Sequence, residues 1–226
     1  MRVVQNRPGA ESRVQGVAAQ TGFTLVELVA IVLVLTFLVL LGLPTLVRAK
    51  QRTKEANCQN NLRQLGFALQ SYTEANEGWL PGPVRLLVKP NYDCRATNEL
   101  AWYVADRLGC SAPSPSPAVA PQLICPANNR EDHDTPGQPR TDYVLSTGRG
   151  LGGPPFGQPG SAASRPLSIS AVGAMTSPAE CAAITDADKG NVNPTLPGWT
   201  ALAYQPVHGK IRNQLYFDWH VGGKAW

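Results

Sequence analysis

From Leu28 to Val47 the chain runs for 20 residues without a charged side chain, "LVAIVLVLTFLVLLGLPTLV". A helix rises ~1.5 Å per residue, so this run is about 30 Å long, the thickness of a hydrocarbon core. A core helix of a soluble domain keeps a polar face, and this run has none. A secretory signal fits poorly, because its apolar stretch is shorter and ends in an A-x-A-like site, whereas this one ends in "LPTLVRAK". The 226 residues therefore read as one membrane-spanning segment plus one domain.

One carboxylate, Glu27, stands at the edge of the run, where lipid makes it costly. The stretch "TLVE" places Thr24 three residues before it, the spacing of a capping box. On that reading Thr24 satisfies a free N–H at the helix start, Glu27 reaches back, and the carboxylate sits at the positive end of the helix dipole.

The stretch "GFTLVELVAIVLVLTFLVLLGLP", with its surroundings from Thr21 to about Lys50, resembles the processing site and stem of a type IV pilin or type II secretion pseudopilin. The resemblance implies that residues 1–22 are a leader, removed by a prepilin peptidase that cuts after Gly22 and N-methylates Phe23. It implies that Glu27 pairs with the Phe23 amine of a neighbouring subunit during assembly. A paired carboxylate is tolerable where a lone one is not. It also places Pro44 where pilin stems loosen, since proline removes a backbone hydrogen bond and bends a helix.

Beyond the apolar run, residues 48–77 carry Cys58, Leu62, Leu65, Leu69 and Tyr72 at spacings of 4, 3, 4 and 3. This is one narrow apolar stripe on a helix that Gly78 is suited to stop. The stripe is expected to pack under a globular head; a coiled coil is the alternative, but the repeat lasts barely two heptads. "CQNNLRQLGFALQSY" resembles the stem of a prepilin-like family with a C-terminal H-x9-DG signature.

The head, residues 79–226, is rich in turn formers. The whole chain has 21 glycines and 20 prolines, which indicates a loop-rich fold with little helix beyond the first third. "ELAWYVADRLG" (Glu99 to Gly109) predicts a short helix, "SAPSPSPAVAP" an extended link, and "GRGLGGPPFGQPGSAASRP" (Gly148 to Pro166) a long loop. "YVLST", "CAAIT", "NQLYF" and "HVGGKAW" are the strand candidates. Few strands against one long helix imply an α+β fold with a small antiparallel sheet, as in pilins. The net charge of +4 is spread along the chain without a basic-aromatic stripe, so nucleic-acid binding has little support. The chain has no GxxxxGK[ST], HExxH or CxxC motif.

Three groups of head residues are candidates for chemistry. His208 and Asp218, with nine residues between them, match the H-x9-D part of the signature, with Trp219 where the family has glycine. The two are expected to brace a hairpin by hydrogen bonds; with His220, a catalytic or metal role is the alternative. Trp219 is expected to strain the turn or to lengthen it, because glycine takes positive φ freely. "DADKGNVN" gathers Asp186, Asp188, Asn191 and Asn193, hard oxygen donors of the kind calcium uses, although such residues also simply form turns. Major pseudopilins often carry calcium near this part of the head. Among five cysteines, Cys94 and Cys110 flank the predicted short helix and are the expected disulfide, with at least one thiol left over.

The sequence thus reads as a pilin-like structural subunit rather than an enzyme. The resemblance implies a single-pass inner-membrane precursor with an extracytoplasmic head. It is divided into leader 1–22, membrane segment 23–47, stem 48–78 and head 79–226. The implied partners are other pilin subunits, the prepilin peptidase/methyltransferase and the membrane. The alternative is a membrane-tethered enzyme or binding protein that uses a pilin-type anchor.

Overall fold

The computed structural model describes residues 22–128, 141–161 and 164–226. The expected leader, apart from Gly22, lies outside them, as does part of the Gly148–Pro166 loop. The chain forms two compact units, residues 1–46 and 47–226.

One helix, α1 (Leu25–Ala75), supplies both the apolar segment and the stem, and it is assigned as helix straight through position 44. In the first unit every described side chain from Phe23 to Leu46 is exposed, and the helix is long and apolar enough to cross a membrane. In the second unit the apolar stripe behaves as expected: Cys58, Leu62, Leu65 and Leu69 are fully buried, and Tyr72 is half-buried. The helix ends where Gly78 takes φ +83° and its N–H donates to the Thr73 carbonyl at 2.8 Å. That conformation is available to glycine at no steric cost.

The stem packs on an antiparallel sheet of five strands in the order β1 (Leu87–Val88), β4 (Tyr143–Leu145), β5 (Ala182–Asp186), β6 (Ile211–Tyr216), β7 (Val221–Ala225). A separate two-stranded ladder joins β2 (Asn91–Tyr92) to β3 (Ala118–Val119). The architecture is α+β, with a long apolar N-terminal helix and an antiparallel sheet. All four strand candidates carry a strand; β5 runs on to Asp186, past its expected stretch, and β6 begins at Ile211, before its own. The short helix is α2 (Leu100–Val104), followed by a 3-10 turn and Gly109 in the left-handed region. A third helix, α3 (Ile169–Met175), is capped by Ser168, whose hydroxyl accepts from the Ala171 N–H at 3.2 Å.

One core joins these parts. Leu62, Leu65 and Leu69 of α1 meet Leu100 and Val104 of α2, and Tyr143, Ile184, Leu215 and Phe217 from the sheet side. Each fully buried leucine contributes about 1.5–3 kcal/mol by leaving water. The glycine-rich loop is part of this core. Its Phe156 is fully buried and stacks on Phe217, with ring centroids 6.1 Å apart, and Leu151 is buried beside it.

The expected Cys94–Cys110 disulfide does not form. Cys94 is exposed, and the Cys110 thiol lies 3.7 Å from Gln122 Oε1. The bond runs instead from Cys58 on α1 to Cys125, with Cα atoms 5.2 Å apart. It ties the stem to the segment that follows β3.

Candidate functional site

Two regions carry the residues singled out in the sequence. The first is the start of α1. The Thr24 N–H and hydroxyl both donate to Glu27 Oε2 at 2.9 Å, and the Glu27 N–H donates to the Thr24 hydroxyl at 3.3 Å. This is the reciprocal capping box expected from "TLVE". Phe23 is 79% exposed, and nothing lies within 4 Å of where a Cβ on Gly22 would stand. The Gly22–Phe23 peptide is therefore uncovered among the described residues.

The second region is a polar cluster under the sheet. Strand β5 ends in Asp186, and His208 lies shortly before β6, so the antiparallel pairing of β5 with β6 brings the two together. His208 Nε2 is 3.7 Å from Asp186 Oδ2 and 3.4 Å from Cys125 Sγ. Both side chains are 2% exposed. Asp186 Oδ2 accepts from the Asn213 N–H at 2.7 Å, while its Oδ1 has no hydrogen-bond partner among the described residues. Burial pushes the Asp186 carboxyl up to about 7 against the Asn213 hydrogen bond, and Asp142 and Asp188 add to the rise. Burial also lowers the His208 imidazole, partly offset by Glu55. A second carboxylate anchors the segment that carries the disulfide: Asp142 Oδ2 accepts from the Cys125 N–H at 2.9 Å.

His208 and Asp218 do not brace one hairpin together. The six residues of β6 lie between them, and an extended strand of that length spans about 20 Å. Asp218 instead sits in the β6–β7 turn, where its Oδ1 lies 2.5 Å from His220 Nδ1 on the surface. The turn itself takes the strained form. Trp219 adopts φ +70°, the Trp219 N–H donates to the Tyr216 carbonyl, and the Tyr216 N–H donates to the His220 carbonyl. This three-residue loop needs a left-handed residue at its third position, where glycine fits best.

The four expected calcium ligands do not converge. Asp188 is fully buried and takes Arg212 in a bidentate pair, Nε at 2.6 Å and Nη2 at 2.9 Å, plus the Gly190 N–H at 2.7 Å. Asn191 Oδ1 accepts from the Asp188 N–H, and its amide donates to the Asp186 carbonyl. Asn193 Oδ1 accepts from Thr195. Asp186 faces His208. Apart from the Asp186 carboxyl, these side-chain oxygens are spent on turn formation and on one guanidinium, so the four do not make a shared calcium set.

A cavity of about 500 Å³ opens beside Arg85, Leu87, Lys89 and Leu196. Its two cations already face buried Glu99, at 3.3 and 3.6 Å. The disulfide with its adjoining histidine was missed in the sequence. Cys58 stood out only as an apolar residue of the stripe, and Cys125 had no local signal. Compared with known proteins, the chain matches no family model, no curated protein and no solved structure.

Proposed function

We propose that this chain is a pilin-like structural subunit. It is made as a single-pass inner-membrane precursor, cleaved after Gly22, N-methylated at Phe23 and assembled through its apolar helix into a type II secretion or type IV pilus-like filament. The observation that carries the reading is the start of α1. An uncovered Gly22–Phe23 peptide is followed within one turn by a carboxylate, and then by an apolar helix whose described side chains are all exposed up to Leu46.

Such a helix needs an apolar surround, from lipid first and from neighbouring stems afterwards. Glu27 is occupied by Thr24 in the single chain and accepts the Phe23 ammonium of a neighbour in the filament. The work is assembly rather than chemistry. The sulfur nearest His208 is bonded to Cys58, which removes it as a nucleophile.

The deciding experiment is intact-mass analysis of the protein from native membranes. Loss of residues 1–22 with one added methyl is expected, and Gly22→Leu leaves the precursor uncut. A native chain that still begins at Met1 refutes the reading.

A further inference from the structure

We propose that Cys58, Cys125 and His208 form a redox-gated metal site, closed as a disulfide when oxidised and able to take a zinc-like ion when reduced, with Asp186 as the adjoining carboxylate. This is independent of the filament reading. A disulfide needs no polar company, yet this one has a histidine, with a side chain 2% exposed, whose Nε2 lies 3.4 Å from Cys125 Sγ. Beside the same nitrogen stands a carboxylate, equally buried, with an oxygen that accepts no hydrogen bond among the described residues. Burying such groups without full pairing is costly, and a structural bond alone does not account for them.

The donor set and its spacing suit a borderline-soft divalent ion. The two sulfurs and the imidazole nitrogen lie within 4.8 Å of one another. Two thiolates and one imidazole are a common zinc complement, and the fourth position goes to a carboxylate or water. Asp186 Oδ2 lies 3.7 Å from the same nitrogen, His208 Nε2, and is placed for that position or to accept from a water that fills it. With bonds of ~2.3 Å to a tetrahedral ion, the sulfurs need to part to only about 3.8 Å.

The exchange balances with a dithiol as reductant. The dithiol gives two electrons and two protons, the Cys58–Cys125 bond breaks into two thiols, and the dithiol closes into its own disulfide. The entering ion then displaces both thiol protons to solvent.

The test uses the full chain in detergent, with Cys94, Cys110 and Cys181 changed to serine so that only this cysteine pair remains. Co²⁺ is the probe, before and after reduction by a dithiol that is then removed. One Co²⁺ per reduced chain is expected, with thiolate charge-transfer and tetrahedral d–d bands that Zn²⁺ abolishes by displacement, and none in the oxidised chain. Cys58→Ser and His208→Ala should each lose the tetrahedral bands, and Asp186→Asn should weaken binding by about 10–100-fold.

His208→Gln, compared in the oxidised state by near-ultraviolet dichroism, separates loss of the ligand from loss of the fold. Absence of the bands in the reduced chain overturns the proposal, as do bands that persist without Cys58 or His208. A reduced chain that unfolds and is not restored by Zn²⁺ also overturns it.

Discussion

Gly66 of α1 lies so close to Leu215 of β6 that a Cβ on the glycine would stand 2.9 Å from Leu215 Cδ1, and 3.3 Å from the Trp219 carbonyl oxygen. The stem and the β6–β7 hairpin touch here with no room for a side chain. Gly66→Ala gains about 1 kcal/mol of helix propensity but overpacks a fully buried leucine, at about 1–3 kcal/mol. Net destabilisation is expected, and Gly66→Leu should destabilise clearly more. Urea denaturation of the two variants beside the wild type measures both. A stabilised alanine variant would mean that the hairpin gives way freely.

The buried Asp188–Arg212 pair replaces the expected ion site. Arg212→Met leaves the fully buried carboxylate without its cation and should cost about 3–5 kcal/mol. The thermal midpoint should not respond to calcium or to chelator, since the side-chain oxygens of Asp188, Asn191 and Asn193 are already engaged. A calcium-dependent rise in the midpoint would reopen the ligand reading of Asp186, Asp188, Asn191 and Asn193.

Stability should depend on pH through Asp186 and His208, in opposite directions. The Asp186 carboxyl is raised from 3.8 to about 7, so the fold holds its proton more tightly than the unfolded chain does. Its contribution is full below the ordinary carboxylate value and is lost progressively as pH rises from there to about 7, a change of roughly 4 kcal/mol. His208 is lowered from 6.5, so the fold disfavours the imidazolium and loses stability as pH falls through that value. In Asp186→Asn the loss of stability on raising pH from about 4 to about 7 should vanish, while the His208 loss on lowering pH remains. Urea midpoints measured across this range for both proteins distinguish the two contributions. A variant whose midpoint still falls as pH rises over this range would assign the effect to another group.

The Cys58–Cys125 bond closes a loop with a sequence separation of 67. In the chain-entropy picture a loop of that size contributes about 4 kcal/mol. The double substitution to alanine should lower stability by that order. Peptide mapping without reduction should recover the 58–125 link with Cys94, Cys110 and Cys181 as free thiols. A recovered Cys94–Cys110 peptide would contradict the pairing described here.

At the other end of the helix, Thr24→Ala removes the cap and should fray the first turn at a cost of about 1 kcal/mol. Glu27→Ala should leave membrane insertion intact and, on the filament reading, block incorporation into assemblies. Co-purification with wild-type subunits reports the difference. Normal incorporation of the variant would leave Glu27 with its capping role alone.

The apolar helix, its cap and the buried stripe of Cys58, Leu62, Leu65 and Leu69 are legible in the sequence because periodicity and capping are local. The strands β4 to β7 are legible for the same reason. Strands β1 to β3 have two residues each, too few for any alternation, and exist only because distant partners pair with them. The Asp186–His208 contact depends on the β5–β6 register, and the disulfide on where the stem crosses the head; neither leaves a mark within a short window. The nine-residue spacing of His208 and Asp218 was visible, but its meaning changed once a strand was found to separate them.

The bond between Cys58 and Cys125 also determines how tension travels. When the chain is pulled between its apolar N-terminal helix and its C-terminus, force passes from Cys58 straight through sulfur to Cys125. Residues 59–124, including the rest of the stem helix, α2 and the β2–β3 ladder, are bypassed. At ~3.4 Å per residue this hides about 220 Å of contour length from extension. Cutting the bond would release that length and expose the stem to the pull it is now spared.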